Sequence, residues 1–217
     1  MKPELTIEKL IDEAAAFAKI ESKYEEPALY GVTDGKAVGT YLEHKFTAHL
    51  AETYYYSQGN SASGIDLPGI GVDIKVTSIK QPQSSCPFKS ATQKVYGLGY
   101  NLLVFVYAKY DDHSNQTGRL DMQHAIFIEK ELTADFQTTK GLLEILERDG
   151  NADDIVSFLL ERNLPLDEIG AERLARSILN TPPRLGYLTI FNALQWRLQY
   201  SRVIEKAGGV NGILRIC

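Results

Sequence analysis

Six consecutive apolar residues, Leu102-Leu103-Val104-Phe105-Val106-Tyr107, constrain the fold more than any other feature of the chain. Side chains alternate between the faces of a sheet, so an unbroken apolar run demands a strand covered on both sides. Ala125-Ile126-Phe127-Ile128 reads as a second strand, and Asp111 to Asp121, rich in Asp, Ser, Asn, Gly and Gln, as an exposed connection between the two. The cover comes from helices. Leu5, Ile7, Leu10, Ile11, Ala14, Phe17 and Ala18 recur at helical spacing, and Val38, Leu42, Phe46 and Leu50 form an i, i+4 stripe over Lys36 to Tyr54. Beyond residue 133 the pattern predicts helices at Ala134 to Arg148, Ala152 to Arg162, Leu166 to Leu179 and Tyr187 to about Glu205, with a short strand at the end. The expectation is an α/β fold: a mixed central sheet flanked by helices over residues 1–132, then a helical C-terminal region over residues 133–217.

Several function classes drop out early. Cys86 and Cys217 lack Cys-x-x-Cys spacing, and His44, His49, His113 and His124 make no ligand pattern, so neither a disulfide framework nor zinc is expected. The first twenty residues interleave charges with Ala and Leu, which fits no signal peptide or membrane span; a cytoplasmic protein with no membrane partner is expected. The formal net charge of -5 argues against a protein that coats nucleic acid through a broad basic field. It leaves room for an enzyme that concentrates carboxylates around a cation and keeps positive potential local.

The chemistry gathers after a small polar stretch, Ser57 to Gly64, read as a loop. Gly64-Ile65-Asp66-Leu67, Pro68-Gly69-Ile70-Gly71 and Val72-Asp73-Ile74-Lys75-Val76 alternate apolar and polar residues about a Pro-Gly turn, which predicts a β-hairpin. Asp73 and Lys75, two apart in a strand, leave the same face, and the hairpin brings Asp66 to that face too. Two carboxylates about 5–8 Å apart repel unless a cation joins them. Hard oxygen ligands of this kind suit Mg²⁺, which takes one or two carboxylates and keeps waters for a phosphate-bearing substrate. The lysine then holds an attacking water or the charge that grows on phosphorus.

These residues resemble the PD-(D/E)xK nucleases, and among them the type II restriction endonucleases. Ile65-Asp66 stands where that family has Pro-Asp, Asp73-Ile74-Lys75 matches (D/E)-x-K on the following strand, and Glu43, within Gly39-Thr40-Tyr41-Leu42-Glu43, matches a glutamate that members often carry on the preceding helix. A helix at Ser90 to Tyr96 and the apolar strand at Leu102 complete the likeness over residues 36–130; isoleucine in place of proline and the close spacing of the acids depart from it. The resemblance implies a restriction-endonuclease-like core that hydrolyses double-stranded DNA at a short site and leaves 5′-phosphate and 3′-hydroxyl ends. Asp66 and Asp73 would ligate Mg²⁺ with the Ile74 carbonyl, Glu43 would contact a second ion or a coordinated water, and Lys75 would orient the nucleophile.

Other candidates are individually weaker. Lys80 and Lys89 flank the hairpin as possible phosphate contacts, and Gln93 and Lys94 either reach a phosphate near the metal or lie on a plain surface helix. The C-terminal order of three helices and a strand resembles a winged helix, in which Arg184, Gln195, Arg197 and Arg202 would meet DNA. The same stretch serves equally as a bundle that buttresses the sheet or forms a dimer interface. Cutting both strands of a palindrome favours a homodimer. Two rivals remain: a repair or recombination nuclease that reads DNA structure, and a DNA-binding regulator without catalysis, which leaves Asp66, Asp73 and Lys75 without a role.

Overall fold

A computed structural model describes residues 2–57, 59, 64–87, 89–191 and 196–217; Gln195 and most of the small polar stretch before the turn lie outside them. The chain divides into two compact units, Met1–Ser84 with Asn101–Ile128 and Val203–Cys217, and Ser85–Tyr100 with Glu129–Arg202. This cut differs from a single break after residue 132, because the last segment returns to the first unit.

In the first unit, α1 (Ile7–Glu21) and α2 (Gly35–Thr53) start at Thr6 and Asp34, whose side chains accept hydrogen bonds from Lys9 N and Lys36 N. Such caps satisfy backbone donors that the first helical turn leaves free. The strands β1 (Glu25–Glu26), β2 (Val72–Ser78), β4 (Asn101–Asp112), β5 (Thr117–Ile128) and β8 (Ile213–Arg215) form one sheet in the order β1-β5-β4-β2, with β8 also on β5. β4 runs parallel to β2 and antiparallel to β5. The expected long connection is instead a tight turn, since β4 continues to Asp112 and β5 begins at Thr117. Cross-strand pairing extends these polar segments beyond the apolar runs that the sequence marks.

Leu103, Phe105, Ala125 and Phe127 face α1 and α2, where they pack with Leu10, Phe17, Leu42 and Phe46. Each such side chain contributes about 1.5–3 kcal/mol on leaving water. Leu102, Val104, Val106, Ile126 and Ile128, of opposite parity, are also fully buried, so the run at Leu102 is covered on both faces as its composition requires.

The second unit takes in the end of β3 (Gln83–Cys86), which the division crosses, and α3 (Gln93–Tyr96), then α4 (Phe136–Leu146), α5 (Ala152–Glu161) and α6 (Glu168–Asn180), followed by β6 (Thr189–Phe191) and β7 (Trp196–Gln199). Val95, Leu142, Ile155, Leu159, Leu174 and Ile178 share a core. The helix expected from Tyr187 to Glu205 is not there, and with it goes the order of elements that suggested a winged helix. Thr189 to Phe191 pairs antiparallel with Arg197 to Gln199, and among the described residues of that segment only Ser201–Lys206 is helical, as α7. The physical reason is legible afterwards: Trp196, Leu198 and Tyr200 are buried at a period of two, with Arg197 exposed between them.

Candidate active site

The expected hairpin is reduced to one antiparallel bridge, Leu67 with Val72, around a 3-10 turn at Pro68–Ile70. Gly71 closes that turn at φ 63, a conformation open to glycine without steric cost. Asp66 therefore precedes a turn and does not sit on a strand. It meets β2 by another route: its Oδ2 accepts a hydrogen bond from Ile74 N at 2.7 Å, while Gly59 N donates to its carbonyl at 2.8 Å.

β2 ends the sheet on this side, and its backbone groups alternate in direction. Gly71 O accepts from Asn101 N and Ile79 N donates to Tyr107 O, so odd-numbered residues of β2 bond to β4. Ile74 consequently turns both its N–H and its carbonyl off the free edge, toward Asp66. Asp73 and Lys75, in register with Leu102 and Val104, project from the face opposite α1 and α2. Lys75 Nζ lies 2.6 Å from Asp73 Oδ2. Glu43, from α2, joins them across the edge, since the Asp66 carboxyl interacts with both Glu43 and Asp73.

Three acids thus surround one amine. Burial, then the Asp66 charge, lifts the Glu43 carboxyl to about 7, against the pull of Lys75. Burial also lifts Asp73 to about 7, with Lys75 opposing and Asp66 adding. For Lys75, burial acts to lower its value, but Asp73, Asp66 and Glu43 outweigh it and the net shift is upward. The ammonium is therefore held protonated. Asp73 is 3% exposed, and its Oδ2, though beside the Lys75 ammonium, receives no properly directed hydrogen bond among the described residues. A buried carboxylate paired with a lysine, two further acids and an outward-facing carbonyl are hard donors that fit a divalent cation. Among the described residues no three His, Cys, Asp or Glu side chains form a ready metal cage.

The remaining candidates separate by environment. Lys80, in the first unit, and Lys89, Arg184 and Arg197, in the second, are exposed. Gln93 and Lys94 are 6% exposed each, so their helix is no surface helix. The Gln93 Oε1 is occupied by Trp196 Nε1 at 2.9 Å and by Lys89 N at 3.0 Å. Arg202 stacks on Phe136 at 3.6 Å, and its Nε is enclosed. The sequence hid the link that brings Asp66 to the edge, a side chain bonding a backbone eight residues on, because no spacing rule encodes it.

The chain matches the family model described as type II restriction enzyme NspV over residues 4–215. It is 61% identical over 212 residues, 98% of this chain and 96% of the relative, to the type II restriction enzyme NspV of Nostoc sp. (strain ATCC 29411 / PCC 7524). No solved structure matches it.

Proposed function

We propose, for a chain that belongs to the NspV family of type II restriction enzymes, that Asp66, Asp73, Lys75 and Glu43 form the centre at which it hydrolyses double-stranded DNA. The fold and acid-acid-lysine arrangement support a PD-(D/E)xK-like core. The observation that carries the reading is the edge of β2, where the Asp66 carboxylate, held by Ile74 N, lies beside the buried Asp73 carboxylate and its Lys75 partner.

Asp66, Asp73 and the Ile74 carbonyl are the proposed ligands of Mg²⁺, with Glu43 beside them at a second ion or a coordinated water. When bound, Mg²⁺ supplies neutralisation and polarisation of the phosphoryl group. Lys75, kept charged by its three acidic neighbours, does not serve as a base; it orients the incoming water and stabilises negative charge as the P–O bond breaks. In-line attack leaves a 5′-phosphate and a 3′-hydroxyl. Exposed Lys80, Lys89, Arg184 and Arg197 contact DNA, and Gln195 keeps the recognition role its amide suits. Gln93 and Arg202, committed inside the fold, act by holding neighbours. The second unit, in which these recognition candidates concentrate, is the proposed DNA-reading or dimer-forming module. A homodimer acting in the cytoplasm, one site per strand, completes the reading; among the described residues no helix is long and apolar enough to cross a membrane.

The test is plasmid cleavage in Mg²⁺ and in chelator, with the product ends sequenced. Discrete bands with one end sequence, lost in chelator, are expected. A smear or random nicking would instead indicate a nuclease that reads DNA structure.

A further inference from the structure

Lys94 is a buried cation without a direct ion pair among the described residues. It is 6% exposed, yet among the described residues its ammonium has neither an ion pair nor a hydrogen bond. Its nearest compensation is the Trp196 ring, whose centre lies 5.2 Å away, and Gln93 pins that ring through Trp196 Nε1 at 2.9 Å. Asp135 attracts the ammonium from a distance but is already committed. Its Oδ2 accepts from Thr138 N at 2.9 Å and Thr138 Oγ1 at 2.7 Å, and its Oδ1 from Ile190 N at 2.8 Å. Arg162 adds a second positive charge nearby. Burial accordingly pulls the Lys94 value below that of an ordinary lysine, Asp135 opposing and Arg162 assisting.

Isolated buried charges are costly, and proteins pair them or use them. The residue also keeps a small part of its surface, 6%, in solvent. A partly dehydrated ammonium beside an aromatic wall, with Asp135 and Arg162 offsetting each other nearby, is suited to one oxyanion. The substrate of this enzyme family offers such a group at every nucleotide.

We infer that Lys94, beside the Trp196 ring, is a binding residue for a backbone phosphate of DNA, whose oxygen supplies the direct ion pair that the described residues do not. The site holds substrate without touching the reacting atoms. It rests on DNA as the substrate and is independent of the roles given to Asp73 and Lys75, so either assignment can fail alone.

Lys94→Met keeps the stem and removes the charge. Binding of a short duplex by the full-length protein without metal, followed by fluorescence anisotropy across salt, should weaken about tenfold, and the slope of log K against log salt should fall by about 1. The melting temperature should hold or rise, because an uncompensated charge has gone. KM should rise with kcat nearly unchanged, and Lys94→Arg should restore the salt slope. Trp196 is the single tryptophan of the chain, so its emission reports on the ammonium: the duplex should shift it at concentrations where inorganic phosphate does not. Should Lys94→Met fail to fold, Lys94→Gln gives the same reading. An unchanged affinity and salt slope in a folded variant overturns the inference. So does an emission shift that inorganic phosphate produces as readily as duplex, which would make the site one for free anions.

Discussion

Asp73 lies on a strand whose neighbours are core, so folding strips its carboxylate of water before any substrate arrives. The cost should be visible as a pH dependence of the metal-free protein. Asp73 and Glu43 titrate near ordinary carboxylate values when unfolded and about 7 in the fold, so the folded chain binds more protons between those limits. Their stability contribution is complete below the unfolded values and is lost as pH rises through 7. Lys75, shifted upward, loses its own contribution only in the alkaline range. Chemical denaturation without metal should therefore show stability falling on the order of a few kcal/mol from about pH 5 to about pH 8, with saturating Mg²⁺ flattening the profile. A flat metal-free profile would contradict the burial of these acids. Asp73→Asn should abolish cleavage, leave circular dichroism unchanged and reduce the metal-free pH dependence; wild-type cutting by that variant would remove Asp73 from the site. The period of two made Asp73 and Lys75 legible in the sequence, since it alone places both on one face. Gln93 and Arg202 show where residue type misleads: the same amide or guanidinium that reads a base also pins an indole or stacks on a phenyl ring, and only burial separates the two uses.

Helix α2 carries Glu43 to the edge of β2, and its rotation is set on another side, against α1. Lys45 pairs with Glu21 at 2.7 Å, donates to Tyr41 Oη at 2.8 Å and stacks over Tyr24 at 3.4 Å. His49 meets Glu13 at 2.7 Å one turn further on. Glu21 is 1% exposed, so removing Lys45 leaves a buried carboxylate held among the described residues by the Tyr41 hydroxyl alone, at 3.3 Å, which costs about 3 kcal/mol once the partial exposure of Lys45 is allowed for. Lys45→Met should lose stability of that order in urea denaturation and raise the Mg²⁺ concentration for half-maximal cleavage several-fold, because Glu43 rides on the same helix. Glu21→Gln combined with Lys45→Met should recover most of the stability; a double variant as weak as the single would show that the loss comes from packing of the lysine stem. Helices α1, α2, α4, α5 and α6 were legible because each repeats an apolar stripe at 3.6 residues between caps or breakers. The segment after Pro182-Pro183 was not: its apolar residues are dense enough to satisfy either period, and antiparallel pairing of Thr189–Phe191 with Arg197–Gln199 decides for strand.

At the scale of the whole molecule, a net charge of -5 must coexist with binding to a polyanion. The acids at the β2 edge count toward that total, and in the proposed reading a divalent ion among them would neutralise the local charge where the scissile phosphate is to lie. In the proposed reading both strands are cut by two such centres, because one edge strand presents one set of Asp66, Asp73 and Lys75. Two copies related by a twofold axis place one centre on each strand of a palindrome. Light scattering should give twice the mass of the chain. A stricter test coexpresses the wild type with Asp73→Asn, one copy tagged, and isolates the mixed species. A mixed dimer keeps one live centre, so on supercoiled plasmid it should accumulate nicked circles at about the rate at which wild type makes its first cut, with linear product suppressed. If single chains act independently, the inactive copy is only a diluent, and the ratio of nicked to linear product would match that of wild type at half the concentration.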